Sequence, residues 1–321
     1  MVEPVQGSGF RRDEDGVTHW KRQVSIVTKA WAQSDFNFET PNLHLMSTVP
    51  SIAPLKAEGD MYDYPGKFPN RDRGDLVTKN RMQDAEAGTD VANGESDARA
   101  LSAGYWFTLQ NHPESSENGK WVTTSVYHEA SQRGFASGKE HEHKYSNTFT
   151  AIRKGVPFRP PRVTPRPFVH GPQTAIVVGP SGEEIYTDKY GRIKVQFHWD
   201  RLGTFNNDSS CWIRVSHSMA GARWGEMSIP RIGQEVVVSF LEGDPDRPLV
   251  TGTVYNTSNM PPYTLPDEKT KTTFKSQSSI GGNGFNELRF EDKKGSEQIF
   301  LHGEKDVDLR VKNDRKEWIG N

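Results

Sequence analysis

Between residues 173 and 256 apolar side chains recur in short runs: TAIVVG (174–179), RIKVQFHW (192–199), CWIRVSH (211–217), EVVVSFL (235–241) and PLVTGTVY (248–255). Alternation with a period of two predicts strands with one buried face. The gaps hold Gly, Pro, Asn and Asp, as in GPSGEE and EGDPDRP, and these residues supply turn geometry. Five short strands at this spacing predict an OB-type barrel, with a five-stranded sandwich as the alternative. In RIKVQFHW the pattern assigns Ile193, Val195, Phe197 and Trp199 to the core, and Arg192, Lys194, Gln196 and His198 to the opposite face.

Upstream the pattern is mixed. HWKRQVSIVTKAW (19–31), AGYWFTLQNHP (103–113) and KWVTTSVYHEA (120–130) have strand composition. Good helix formers fill RGDLVTKNRMQDAEAG (73–88), which closes on Gly88, so one helix is predicted there. This region is α+β with strands dominant. The stretch 155–172 carries six prolines, which remove backbone donors and favour extended geometry, so it reads as a linker. Its Arg159, Arg162 and Arg166 are expected to pin the spacer to an acidic surface, in preference to its serving as an SH3-type ligand.

From Phe274 the chain shows four short alternating pieces: Leu288 and Phe290; Ile299 and Leu301; Val307, Leu309 and Val311; Trp318 and Ile319. Charged turns separate them. A regular ladder of short strands predicts β-solenoid rungs, none of which buries its apolar side without neighbours. No polar cap follows WIGN, so the open end points to completion by other chains or to a fragment.

Composition adds three constraints. Only 33% of residues are hydrophobic and the mean hydropathy is −0.77, which suits short strands, many turns and a core completed by other subunits. Forty basic residues nearly balance 42 acidic ones, so whole-protein attraction to phosphate backbones is not expected. A single cysteine, Cys211, excludes an intrachain disulfide framework, and no apolar run resembles a signal peptide or a membrane span.

The chemical inventory is thin. Cys211 and His217 share a strand face, but six strand residues span about 20 Å, too far for a thiol–imidazole pair; Cys211 is expected to be a small buried residue. His141 and His143, in HEHKY, would point the same way in a strand but lack a third ligand. SIGGNGFNE opens no helix, and Glu183, Glu184, Asp244 and Asp246 sit in turns, where conformation explains them. No metal or other cofactor is expected. An OB module could also stack single-stranded nucleic acid on Trp199 or Trp212, and a hydrolase could use Cys211 or the two histidines. Both are weaker readings than a structural role.

The blocks YGRIKVQFHWD and RIGQEVVVSFLEGDPDRP resemble the OB segment of the VgrG family, the valine-glycine repeat spike proteins of bacterial type VI secretion systems. SDFNFETP, YDYPGKF, FTLQNHP and TSVYHEA resemble the later part of the family's phage-hub-like domain, and FNELRFEDKKGSEQIFLHGEKDVDLRVKND the start of its triple-stranded β-helix. The resemblance covers essentially the whole chain. It implies a mainly β protein in five parts: 1–154 as the later part of a phage-hub-like barrel domain, 155–172 as linker, 173–258 as a five-stranded OB-fold barrel, 259–273 as linker, and 274–321 as the first rungs of an intertwined trimeric needle. Against the family pattern the chain reads as shortened at both ends.

The resemblance further implies a homotrimer that sits on the Hcp tube, takes a PAAR-type tip protein, carries effector proteins and meets a target membrane transiently. Such a protein is assembled in the bacterial cytoplasm and exported by the machine, with no signal peptide. Leu288, Phe290, Ile299, Leu301, Val307, Leu309 and Val311 would then face the trimer axis. Arg192, Lys194 and His198 would form a docking surface on the outside of the barrel. No enzymatic role and no nucleic-acid partner are expected.

Overall fold

The computed structural model describes residues 3–4, 15–132 and 144–320, and the chain divides into two compact units, Met1–Thr164 and Pro165–Asn321. His141 and His143 lie outside the described residues.

The first unit contains, in order, β1 (Glu3–Pro4), β2 (Gly16–Val24), β3 (Ala30–Asp35), β4 (Leu45–Pro50), β5 (Asp60–Asp63), α1 (Arg71–Ala87), β6 (Asp90–Ser96), β7 (Trp106–Leu109), β8 (Gly119–Ser131) and β9 (Lys144–Arg153). Six of the strands form one sheet in the order β1-β2-β6-β9-β8-β7, and the other three form a second, β4-β3-β5. The stretch 19–31 is thus two strands of different sheets rather than one. Trp20, Phe107, Trp121 and Phe149 meet mostly edge to face within the large sheet's core, with Trp20 and Trp121 centroids 4.9 Å apart.

The helix forms where the sequence places it. Asn70 caps it, its side chain accepting from the Arg73 amide at 3.0 Å, and Gly88 follows its last turn. Two acidic side chains tie it to the smaller sheet: Asp75 accepts from the Ser47 hydroxyl at 2.6 Å, and Glu86 from Ser51 at 2.8 Å. In the Pro-rich stretch Arg162 lies 3.7 Å from Asp63, as expected of a pin on an acid, whereas Arg159 donates to the neutral amide of Gln83 at 3.0 Å.

The second unit holds β10 (Gln173–Val178), β11 (Lys194–Phe197), β12 (Arg214–Val215), β13 (Glu235–Phe240), β14 (Pro248–Val254), β15 (Lys271–Lys275), β16 (Glu287–Glu291) and β17 (Gln298–His302). The first five pair in the order β11-β10-β13-β14-β12, with β12 and β14 parallel. A bridge between Ile193 and Ile213, with N–H···O distances of 2.9 and 2.8 Å, joins the two ends and closes the sheet into a barrel. Each of the five apolar runs supplies one strand. The core is Ala175, Val177, Ile193, Val195, Ile213, Val236, Val238 and Val250.

Two assignments along 192–199 are corrected. The strand ends at Phe197 and the chain turns, with the Asp200 amide bonded back to the Phe197 carbonyl at 3.2 Å, so the alternation stops before Trp199. Trp199 is 68% exposed and stacks on Phe197 at 5.3 Å instead of entering the core. Gln196, assigned to the polar face, is 1% exposed because the loop that follows folds over it, its amide donating to the Asp200 carbonyl at 3.1 Å.

The last three strands form an antiparallel sheet, β15-β16-β17, which opens at Lys271, before the boundary read at Phe274. Two of the four alternating pieces become strands, β16 and β17. The pieces at 307–311 and 318–319 form no strand within the single chain, and their apolar side chains are exposed. A short amphipathic segment gains little by pairing when nothing apolar lies across it.

Candidate functional site

The register of the C-terminal sheet sorts its side chains into two unlike faces. Phe274, Leu288 and Leu301 are aligned across the three strands, and Thr272, Phe290 and Ile299 form the neighbouring row. Because side chains alternate, all six share one face. Five of them are large and apolar, and Phe274, Leu288, Ile299 and Leu301 are all exposed, Ile299 to 73%. Phe290 is half-buried.

The opposite face is sealed by polar chemistry. Glu287 is buried and accepts from the Tyr263 hydroxyl and, at 2.8 Å, from the Thr273 hydroxyl. Arg289 donates to the Tyr263 hydroxyl at 2.8 Å and to Gln298 at 2.8 Å, while its guanidinium lies over Phe300 at 4.4 Å. Lys275 lies over the Phe285 ring at 4.1 Å, and Phe285 packs on His302 at 4.5 Å. Desolvation alone would raise the Glu287 carboxyl, but bonds from Tyr263 and Thr273 and the charges of Lys275 and Arg289 hold it below its ordinary value. One side of the sheet is therefore finished and the other is not.

The seven residues read as axial fall into two sets. Leu288, Phe290, Ile299 and Leu301 come together on the bare face. Val307, Leu309 and Val311 lie further along and are exposed in an irregular segment. Phe274 was not singled out for this face, because KTTFK holds one apolar residue and shows no alternation; only the register with Leu288 reveals it.

The barrel residues read as a docking surface are engaged within their own chain. Arg192 pairs with Asp188 at 2.7 Å, Lys194 donates to the Asn207 carbonyl at 2.6 Å, and His198 lies 3.0 Å from the Thr174 hydroxyl. Bonds from the Arg192 backbone and side chain and from the Tyr190 amide outweigh desolvation and hold the Asp188 carboxyl below its usual range. Cys211 is exposed, a correction to its expected burial; local desolvation pushes its thiol above the ordinary value, which makes it a weaker nucleophile near neutral pH. Trp212, half-buried, packs on Tyr186 at 4.9 Å. Among the described residues no group of three or more His, Cys, Asp or Glu side chains is placed to hold a metal ion, and no helix is long and apolar enough to cross a membrane.

Three family models match parts of the chain. Residues 1–134 match the family model of the phage tail baseplate hub, residues 175–255 that of the type VI secretion system/phage-baseplate injector OB domain, and residues 272–321 that of the bacteriophage T4 gp5 C-terminal trimerisation domain. The chain is 42% identical to the type VI secretion system spike protein VgrG4b of Pseudomonas aeruginosa, across 99% of this chain and 41% of that protein. It is 42% identical to VgrG5 of the same organism, across 100% and 42%. To the actin cross-linking toxin VgrG1 of Vibrio cholerae it is 41% identical, across 88% and 26%. The chain thus spans less than half the length of these relatives.

Two solved structures resemble it distantly. The Francisella PdpA–VgrG complex in its lidded form gives a TM-score of 0.47 at 8% identity, covering 89% of this chain and 47% of that one. An E. coli type VI secretion component, described as similar to the T4 bacteriophage tail proteins gp27 and gp5, gives 0.44 at 18% identity, covering 75% and 47%. The sequence relatives decide the assignment: with more than two-fifths identity along essentially its whole length, the chain belongs to the VgrG family of type VI secretion system spike proteins.

Proposed function

We propose that this chain is the structural spike component of a type VI secretion machine and works as a homotrimer. In this reading 1–154 contributes to a hub seated on the Hcp tube, 173–258 forms one third of a collar, and 274–321 begins a needle. The needle continues toward a PAAR-type tip, effector proteins travel with it, and contact with the target membrane is transient. Assembly takes place in the bacterial cytoplasm and export is by the machine itself. The role is mechanical rather than catalytic.

The observation that carries the proposal is the bare face of Phe274, Leu288, Phe290, Ile299 and Leu301, on a sheet whose other face is sealed, in the segment that matches a trimerisation domain. Two further copies would cover that face and give residues 307–311 the strand partners that a single chain does not supply. Burial of each large apolar side chain is worth about 1.5–3 kcal/mol. Light scattering on the purified chain tests it. A mass of about 109 kDa, three copies of 36.2 kDa, is expected, and a stable monomer at high concentration would count against the needle.

A further inference from the structure

Residues 276–286 connect β15 to β16 and continue their pairing as a hairpin. The Ser276 amide bonds to the Asn286 carbonyl and the Ser278 amide to the Gly284 carbonyl, each at 2.9 Å. The tip of this hairpin reaches the barrel, where two side chains hold it. Glu184, in the turn after β10, accepts from the Ile280 amide at 3.0 Å. Arg231, in the turn before β13, donates to the Gln277 carbonyl at 2.8 Å. The two are ion-paired with each other, and a backbone bond from the Ile232 amide to the Glu184 carbonyl at 2.9 Å keeps their turns side by side.

This is more than a surface ion pair. Ordinary exposed pairs contribute little because water competes for both partners and two long side chains must be ordered. Here both side chains are about three-quarters covered, and each spends a second polar atom on the same hairpin. The carboxylate accepts from the Ile280 amide and the guanidinium donates to a carbonyl three residues earlier. The fork of the guanidinium suits such a divided task, since its donors point in fixed directions.

We infer that Glu184 and Arg231 form a latch that fixes the direction in which the C-terminal sheet leaves the barrel. The other attachment is the chain between β14 and β15, which is itself held: the Asn259 side chain donates to the Gly233 carbonyl at 3.0 Å and Asn256 to Glu235 at 2.8 Å on the barrel, and Tyr263 bonds to Glu287 and Arg289 on the sheet. Attachment along one side of a sheet leaves it free to rock about that side, and a second attachment at the far end of the hairpin removes that freedom. The mechanical value of the latch rests on the spike reading, because a needle transmits load only if it cannot pivot at its base. The latch itself is a property of one chain.

Hydrogen exchange on the 321-residue chain tests it, with Glu184→Ala, Arg231→Ala and the charge-reversed double variant Glu184→Arg/Arg231→Glu. The reversed pair keeps opposite charges adjacent but cannot reproduce the grip: arginine accepts nothing from the Ile280 amide, and glutamate donates nothing to the Gln277 carbonyl. All three variants should speed exchange at the Ile280 amide about tenfold or more, while amides of β10 and β13 keep their protection and the mass stays that of the parent chain. Unchanged exchange at Ile280 would overturn the latch, as would wild-type protection in the reversed pair, which would make it an ion pair and nothing else. A loss of protection in β10 and β13 in step with the hairpin would also overturn it, since the pair would then hold the barrel together. A monomeric parent chain with the expected exchange pattern would refute the spike reading and leave the latch standing.

Discussion

Leu288 lies directly across from Leu301 where β16 and β17 run antiparallel, and both point away from the Tyr263 hydroxyl that seals the other side of the sheet. The pair is well formed and yet open to water. Its energetic value depends on what covers it, which separates the effect of a substitution on folding from its effect on assembly.

Replacing both Leu301 and Leu309 with Asp is therefore expected to leave the folding of a single chain nearly untouched, within about 0.5 kcal/mol, because both side chains are exposed. The proposed trimer should dissociate, since each apolar burial is worth about 1.5–3 kcal/mol and a charge placed there costs more. Light scattering and melting curves compared at several concentrations check this. An unchanged mass and melting profile would remove both residues from the axis.

Beside the backbone bridge that closes the barrel, the Ile213 side chain lies in the core, so Ile213→Ala should be costly. The residue is 1% exposed, and truncation of such a side chain loses about 2–5 kcal/mol. Urea unfolding followed in the second unit measures it. A loss under about 1 kcal/mol would mean that the Ile213 side chain adds little to the barrel core.

Glu117 gives the first unit an acid-sensitive joint. Desolvation pushes its carboxyl up, but bonds from Trp20 and Arg22, each at 3.0 Å, together with the charge of Arg22, bring it below its ordinary value. A depressed folded pKa contributes stability that is present above the unfolded carboxylate value of about 4.3 and is lost as pH falls through the folded value. Glu117→Gln should cost about 1–3 kcal/mol at pH 7, and the gap to the parent chain should narrow progressively as pH falls below the unfolded carboxylate value of about 4.3. Thermal melts between pH 7 and pH 3 follow that gap; a constant difference across the range would contradict the assignment.

Trp199 is the residue on which a nucleic-acid reading would stand, and its exposure makes the question sharper than the sequence did. Its indole N–H is already spent on the Gln173 side chain at 2.9 Å, and one face rests on Phe197. Single-stranded oligonucleotides at about 0.15 M salt should show no saturable binding, and Trp199→Ala should change nothing in that titration. A salt-dependent affinity removed by the substitution would establish the alternative.

Much of the architecture could be read from residue order alone, and the failures have local causes. Each of the five apolar runs of the barrel, and the Gly-terminated helix, is encoded by residues that are neighbours in the chain. Trp199 was misplaced because period-two counting has no way of knowing that the strand ends at Phe197. Gln196 was misplaced because the cover over it comes from the loop that follows. Phe274 joined the bare face only through its register with Leu288. Glu184 looked like a turn residue because its partner, Arg231, stands 47 positions away, and nothing in the spacing links them.

The unfinished face of the C-terminal sheet also bears on the life of a newly synthesised copy. If the proposed trimer forms, then until two other copies arrive this face presents a greasy stripe to the surrounding solution, and such stripes attract other apolar surfaces. On that reading abundance becomes a form of quality control: plentiful copies would cover one another's stripes, whereas scarce ones would stay adhesive and open to chaperones and proteases.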